Sequence, residues 1–526
     1  MRRAFGVPGG ELVELIEALR RVDVPFVLTH HEAPAAFMAA ATGELSGAPG
    51  VCLATRGPGA VNLFAGVATA YLDRRPLIAF TGAHGAAAAK RDTHQNLPLL
   101  ELYRPVTRLA EQLSAENAAG LLPRAAQRAA GPRPGPVFLP FPASEATKEW
   151  ESGSAGAREM TGSLLLPRSR SPTLPSAAGE RLAGSRRPLL MAGIGLAAAP
   201  AAAGRLRSLA EQWGCPVMVT SQVKGFFPED HPLFAGTFGM YRDEPLHALM
   251  EAADLIVAIG LDGVDFFKRW RSATPVLSLA AEGADDPAYQ PALAIEGSLP
   301  DLLAALAEVR RSDSDWAPDD AATAREAIAE VVRPKLSSAP DGTGEMMPPQ
   351  TAIEELRRSL PRDAICTVDV GSHKIVAVQQ WRAYEPETFI CSNGLSPMGT
   401  GLPFAIAAKL ERPEREVACI CGDGGLLMYA GEMATASRLG LKLTVLLMAD
   451  QALSSIKVKQ VRSDYPSVGT EFARPDWGAL ARGYGFRYAR VGRRADCAEA
   501  LHDALVGAEP TLLEACVDPE EYNTTQ

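Results

Sequence analysis

Short apolar runs recur along this chain, separated by stretches in which apolar positions return at helical spacing. The clearest unit lies near the C-terminus. Glu416–Cys421 (EVACIC) reads as a buried parallel strand, Leu426–Leu439 as a helix and Leu441–Met448 (LKLTVLLM) as the next strand. Further runs predict strands at Leu189–Ala192, Pro216–Thr220, Leu255–Ile259 and Pro275–Leu279. Near the N-terminus, Phe5–Gly10 reads as a turn, followed by a helix over Glu11–Arg21 and a strand at Phe26–Thr29. Strands alternating with helices predict an α/β fold of doubly wound domains with parallel sheets. Two stretches break the alternation, Glu151–Pro188 and about Arg310–Pro349, and their Ser, Gly and Pro content reads as linker. The resulting division is three domains, 1–150, 186–310 and 345–526.

Composition agrees with that division, since 526 residues exceed what one core holds. A net charge of −10 argues against a polybasic surface for nucleic acid or an acidic membrane. No apolar stretch reaches the about 18 residues that span a bilayer, and the first residues lack the apolar core of a secretory signal. The expectation is a cytoplasmic protein that binds neither nucleic acid nor membrane. Eight scattered cysteines, without a CxxC pair and mostly among apolar neighbours, read as reduced core thiols.

The chemistry concentrates at strand ends. Cys421-Gly-Asp-Gly-Gly425 closes one strand, and Asp450 ends the next. Asp423 and Asp450 therefore fall at the carboxyl ends of two strands of one sheet, where open α/β sheets bind ligands. Two hard oxygen ligands there suit Mg²⁺ or Ca²⁺ with open positions for phosphate oxygens. Thr367-Val-Asp-Val-Gly-Ser-His373 ends a strand and opens a helix, so the amides of Gly371, Ser372 and His373 can meet a diphosphate. Glu32 follows a strand and opens a helix, a position at which a carboxylate ordinarily complements the helix dipole. Ala192-Gly-Ile-Gly195 is half of a dinucleotide fingerprint, which more often makes a tight turn than a nucleotide site.

GDGG, the helical GEMATASRLGL and VLLMADQALSSI together resemble the thiamine-diphosphate-binding motif of the acetolactate synthase and 2-oxo-acid decarboxylase superfamily. His30–Met38, Cys52–Ala60, Asn62 and Tyr71–Ile78 ahead of Thr81-Gly82 resemble its pyrimidine-binding domain in order and spacing, and Ser392–Pro403 its aminopyrimidine cradle. The resemblance runs from Phe5 to about Val517. It implies pyrimidine-binding, central and diphosphate-binding domains in that order, with thiamine diphosphate and Mg²⁺ as cofactors. The implied metal ligands are Asp423, Asp450 and the carbonyl of Ala452. Cofactor contacts map onto Gly371, Ser372, His373, Asn393, Met398, Gly422, Gly424 and Gly425, with Met398 as the wedge that bends the cofactor. Glu32 maps onto the glutamate that hydrogen-bonds the pyrimidine N1′. Gln95 and His94 fall in a loop that in the family reaches the reacting carbon, His94 standing where a Phe is usual. Arg56 and Arg74 are candidates for a substrate carboxylate.

The resemblance implies decarboxylation of a 2-oxo acid with carboligation to a second carbonyl, in the manner of acetolactate synthase. A simple decarboxylase of the benzoylformate or sulfopyruvate type, releasing an aldehyde, is the alternative; a degenerate binding protein that keeps the fold is another. Active sites in the family lie at subunit interfaces, so a homodimer or homotetramer is expected. Four departures stand out. Ala449 replaces an amide beside the metal loop. Lys459 replaces a Trp that helps choose the acceptor, which turns the preference toward an anionic group near Lys457 or Lys459. The run Leu261–Phe267 replaces the usual Arg-Phe-Asp-Asp, so FAD is not expected. Family members carry a further helix and strand before Phe5, and a missing strand leaves an exposed sheet edge.

Overall fold

The apolar runs become three six-stranded parallel sheets in a computed structural model that describes residues 2–146, 174–335 and 346–522. The chain forms two compact units, residues 1–170 and 171–526. The first unit holds one sheet: β1 (Ala4–Gly6), β2 (Phe26–Leu28), β3 (Gly50–Ala54), β4 (Leu77–Ala83), β5 (Leu109–Ala110) and β6 (Pro136–Pro142), in the order β2-β1-β3-β4-β6-β5. Ala4–Gly6, read as the start of a turn, is an interior strand paired with β2 on one side and β3 on the other. Three residues are too few to show a periodicity, so only the pairing reveals the strand. No strand is therefore missing between β2 and β3.

The second unit holds two sheets. The central sheet is β7 (Pro188–Ala192), β8 (Val217–Thr220), β9 (Phe234–Phe238), β10 (Leu255–Ile259), β11 (Val276–Ala280) and β12 (Leu293–Glu296), ordered β12-β11-β10-β7-β8-β9. The C-terminal sheet is β13 (Ile365–Val368), β14 (Phe389–Cys391), β15 (Val417–Gly422), β16 (Thr444–Ala449), β17 (Arg487–Val491) and β18 (Thr511–Cys516), ordered β14-β13-β15-β16-β18-β17. With helices on their faces, these are three doubly wound α/β domains.

The linkers are shorter than their composition suggests. Ser176–Gly184 and Asp320–Val332 are helices, the second burying Ala321, Ala324 and Ile328 against the central core. Of the expected linkers, residues 147–173 and 336–345 lie outside the described residues. The helix read as Leu426–Leu439 is two helices, Asp423–Met428 and Glu432–Arg438, interrupted around Tyr429–Gly431. All eight cysteines are buried free thiols. Among the described residues no helix is long and apolar enough to cross a membrane.

Within the second unit the two sheets are tied by buried polar contacts. Gln379 Nε2 donates to the carbonyls of Thr237 (3.2 Å) and Tyr241 (3.1 Å). Lys224 and Glu229, each 1% exposed, pair at 2.7 Å; the Lys224 ammonium also donates to Thr237 Oγ1 and lies 5.5 Å from the centre of the Phe389 ring. These contacts fix the loop after β9 beside the helix Ser372–Gln380, which brings Met240 and Tyr241 to the C-terminal sheet.

Candidate functional site

In each doubly wound sheet the strand order switches direction beside the first strand of one half, and ligands bind in the crevice outside the carboxyl ends at such a switch. In the C-terminal sheet the reversal lies between β13 and β15. A cavity of about 430 Å³ opens there, lined among others by Gly371, Ser372, His373, Met398, Gly422, Asp423, Gly424, Gly425, Asp450 and Ala452. Loops distant in sequence thus meet because their strands end side by side.

Asp423 follows β15 and Asp450 follows β16. Asp423 Oδ2 accepts from the amides of Asp450 (3.1 Å) and Gln451 (2.7 Å), and its Oδ1 from Gly424 N (2.8 Å). Asp450 accepts from Ala452 N (3.1 Å) and from the Ser454 hydroxyl. Gln451 takes a left-handed conformation, φ +55°, to make this turn. Burial, and then the neighbouring Asp450 charge, push the Asp423 carboxyl up to about 7 from the usual 3.8. Burial pushes Asp450 up as well. Two carboxylates held close in a buried wall repel each other until a cation separates them, and their hard oxygens suit Mg²⁺. The carbonyl of Ala452 stays out of the bridge to 470–472, whose hydrogen bonds use Gln451 and Leu453.

A helix start in the same lining suits an anion. Gly371 precedes the helix Ser372–Gln380, and Gly371, Ser372 and His373 line the cavity at this helix start. His373 is 4% exposed; its Nε2 has no hydrogen-bond partner among the described residues, and burial pushes the imidazole down to about 4, so it is neutral. That buried, unpartnered nitrogen marks a place for a polar ligand group. Asp369, beyond the end of β13, accepts from the amides of Gly399 (2.8 Å) and Thr400 (2.9 Å) and so fixes the loop carrying Met398. A Cβ on Gly425 would lie 2.0 Å from Asp369 Oδ2, so only glycine fits there. The residues present thus fit a metal-diphosphate group: one lining holds paired carboxylates, a helix start and a neutral imidazole.

Asn393 stands apart from the other mapped contacts. It is 2% exposed and does not line the cavity; Nδ2 donates to the carbonyls of Val264 (3.0 Å) and Asp265 (3.1 Å), and Oδ1 accepts from Lys374 (3.3 Å). Its side chain joins the central domain to the cavity loop. Sequence reading missed Met240, Tyr241 and Tyr522, which line the cavity without belonging to any motif, and Lys374, which follows the Thr367–His373 segment on the helix Ser372–Gln380. Asp369 was legible in principle, being a carboxylate one residue past a strand.

In the first unit the reversal lies between β1 and β3. Glu32 opens the helix Glu32–Ser46, alanine-rich and buried over most of its length, and is itself 8% exposed. Asn62 Nδ2 donates to Glu32 Oε2 at 3.0 Å. Gln95 backs onto the same loop, since a Cβ on Gly57 would lie 2.6 Å from Gln95 Cβ. Glu11 accepts from Thr55 Oγ1 and Arg56 N and holds this loop from the far side. His94 is exposed, and Arg74 donates to the carbonyl of Tyr71 at 2.9 Å.

The third reversal, between β7 and β10, is closed. Gly193 N donates to Ile259 O and Gly195 N to Gly260 O, while Ile194 N meets both oxygens of Asp265 (3.2 and 3.1 Å). All three amides of the half-fingerprint are satisfied internally. Asp265 is fully buried, also accepts from Thr220 Oγ1 and Asp262 N, and is pushed by burial up to about 7 from 3.8. The native state therefore holds this proton more tightly than the unfolded chain does. The stability it contributes is present at low pH and is lost as pH rises from 3.8 to about 7. Asp265→Asn is expected to remove that slope. Urea midpoints of variant and parent between about pH 5 and about pH 8 check it, and parallel profiles would count against a protonated Asp265.

Comparison with known proteins agrees with this geometry. Residues 1–102 match the thiamine pyrophosphate enzyme N-terminal TPP binding domain, 176–306 its central domain and 369–515 its C-terminal TPP binding domain. The chain is 31% identical to a probable acetolactate synthase large subunit of Methanocaldococcus jannaschii, over 98% of this chain and 89% of that protein. It is 28% identical to an acetolactate synthase of Bacillus subtilis, over 98% of this chain and 90% of that protein. A probable 2-ketoarginine decarboxylase of Pseudomonas aeruginosa is 31% identical over 91% of this chain and 85% of its own length. Three domain matches in the family's order, and near-full-length similarity to relatives of this kind, mean that the chain belongs to the thiamine-diphosphate-dependent enzymes of acetolactate synthase type.

Proposed function

We propose that this enzyme decarboxylates a 2-oxo acid and joins the resulting fragment to a second carbonyl compound, as acetolactate synthases do. The carboxylate pair Asp423 and Asp450 and the helix start at Gly371 and Ser372, lining one cavity, carry this reading. Thiamine diphosphate, when bound, supplies an electron sink at its thiazolium carbon, which is the chemistry that loss of CO₂ from a 2-oxo acid needs. Asp423, Asp450 and the Ala452 carbonyl hold Mg²⁺; Gly371, Ser372 and His373 receive the diphosphate; Met398 and the glycines Gly422, Gly424 and Gly425 shape the cavity for it. Glu32 holds and moves a proton at the pyrimidine end, with Asn62 orienting its carboxylate. Gln95 and His94 serve the substrate side. Internal satisfaction of the Gly193–Gly195 amides supports a central domain that works without FAD. The working form is a cytoplasmic homodimer or homotetramer.

The experiment is product analysis with the protein loaded with thiamine diphosphate and Mg²⁺ and pyruvate as sole substrate. Acetolactate is the expected product. Acetaldehyde selects the simple decarboxylase, a reading favoured by the similarity to the probable 2-ketoarginine decarboxylase. Absence of CO₂ from a panel of 2-oxo acids, pyruvate included, overturns both readings and leaves a binding protein.

A further inference from the structure

The helix Ser454–Arg462 forms part of the cavity wall through Ser454, Ser455, Ile456 and Lys459. Its two lysines have different surroundings. Lys457 pairs with Glu471 at 2.7 Å and is not part of the cavity lining. Lys459 lines the cavity, is exposed, and makes no ion pair among the described residues, so it stands at the solvent side of the wall. The other charged groups of the lining are engaged. Lys374 donates to the Ser392 carbonyl and to Asn393 Oδ1, while Asp423 and Asp450 form the metal pair. Arg242, next to the lining residue Tyr241, is within electrostatic reach of Glu244 and, more weakly, of Arg462 in the last turn of the same helix. Lys459 is therefore a cavity-lining cation with no carboxylate paired to it among the described residues.

Resting on the function proposed above, we propose that Lys459 is a specificity-determining residue whose ammonium pairs with a second, distal anionic group of the substrate, so that the enzyme takes 2-oxo dicarboxylates in preference to 2-oxo acids with an uncharged chain. The anion could instead be the cofactor's own diphosphate, and the experiment separates the two. A pair of probes of equal chain length isolates the charge: 2-oxoglutarate ends in a carboxylate where 2-oxopentanoate ends in a methyl group. Protein loaded with thiamine diphosphate and Mg²⁺ is compared with Lys459→Met and Lys459→Arg, reading turnover, calorimetric binding of each probe and the dissociation constant of thiamine diphosphate.

The parent protein is expected to prefer 2-oxoglutarate by about tenfold in kcat/KM and in binding, which is what one charge-assisted hydrogen bond supplies. Added salt should shrink the preference. Lys459→Met should erase it while leaving 2-oxopentanoate and cofactor binding within about twofold, and Lys459→Arg should retain most of it. No preference in the parent, an equal loss for both probes, or a weakened cofactor constant in Lys459→Met overturns the assignment, the last in favour of the diphosphate. If neither probe is turned over, the decarboxylase reading fails for these acids, while calorimetry still decides the role of Lys459. Failure of 2-oxoglutarate to bind more tightly than 2-oxopentanoate ends it.

Discussion

Glu32→Gln is expected to lower kcat by about two to four orders of magnitude, the range that removal of a general acid–base group produces. The substitution is chosen because it changes little else. Glutamine has the size of glutamate, and its amide oxygen can accept from Asn62 Nδ2 as the carboxylate does at 3.0 Å. The helix Glu32–Ser46 is held by apolar burial, including Phe37, Met38 and a run of alanines at 0% exposure, so its stability does not depend on this charge. What disappears is the capacity to take and return a proton. Thermal melting within about 2 °C of the parent, with CO₂ release nearly abolished, is the expected pair of results. Retention of turnover within about tenfold shows that Glu32 is not the proton-handling group.

Asp450→Asn is expected to produce effects of opposite sign in the empty and the loaded protein. Without metal, the substitution removes the charge that pushes Asp423 up, and an amide oxygen can still accept from Ala452 N. The apoprotein should therefore melt no lower than the parent. With Mg²⁺ and thiamine diphosphate, one of two carboxylate ligands is gone, and metal affinity should fall by about 100-fold or more, beyond what loss of a supporting contact causes. Since a ligand stabilises in proportion to the logarithm of its concentration over its dissociation constant, the rise in melting temperature on adding both cofactors should shrink or vanish. Asp423→Asn is the control with a different apo behaviour, because Asp423 anchors the amides of Gly424, Asp450 and Gln451 and an amide replaces one of its two acceptors with a donor. A lower apo melting temperature for Asp450→Asn, with cofactor stabilisation unchanged, would show a structural turn rather than a metal site.

Much of this arrangement is legible in the chain as text. Strands such as Leu255–Ile259 are near-continuous apolar runs because both faces of a parallel sheet are covered. Carboxylates and glycines at strand ends are visible because their spacing is set by one strand-helix-strand unit. The misses share a cause. The strand Ala4–Gly6 is too short to carry a pattern, and the break around Tyr429–Gly431 interrupts a stretch whose helical spacing continues on both sides. The helix Asp320–Val332 sits within a segment whose composition otherwise reads as linker, yet its apolar face finds the central core.

The amino-acid sequence by itself determined the alternation of strands and helices, the three domains and the strand ends that carry polar residues, since those depend on neighbours close along the chain. Only the tertiary structure decided which of the strand ends are open. Asp265 closes the turn at Gly193–Gly195 from some seventy residues away, donors and acceptors meeting across two parallel strands. Likewise Lys457 and Lys459, two residues apart on one helix, part company: one pairs with Glu471 and the other lines the cavity. Asn393, next to the cavity in sequence, turns its amide to the backbone of the central domain instead. Each outcome rests on long-range packing and on satisfying buried polar groups, which are conditions of the folded chain as a whole and leave no mark at a single position.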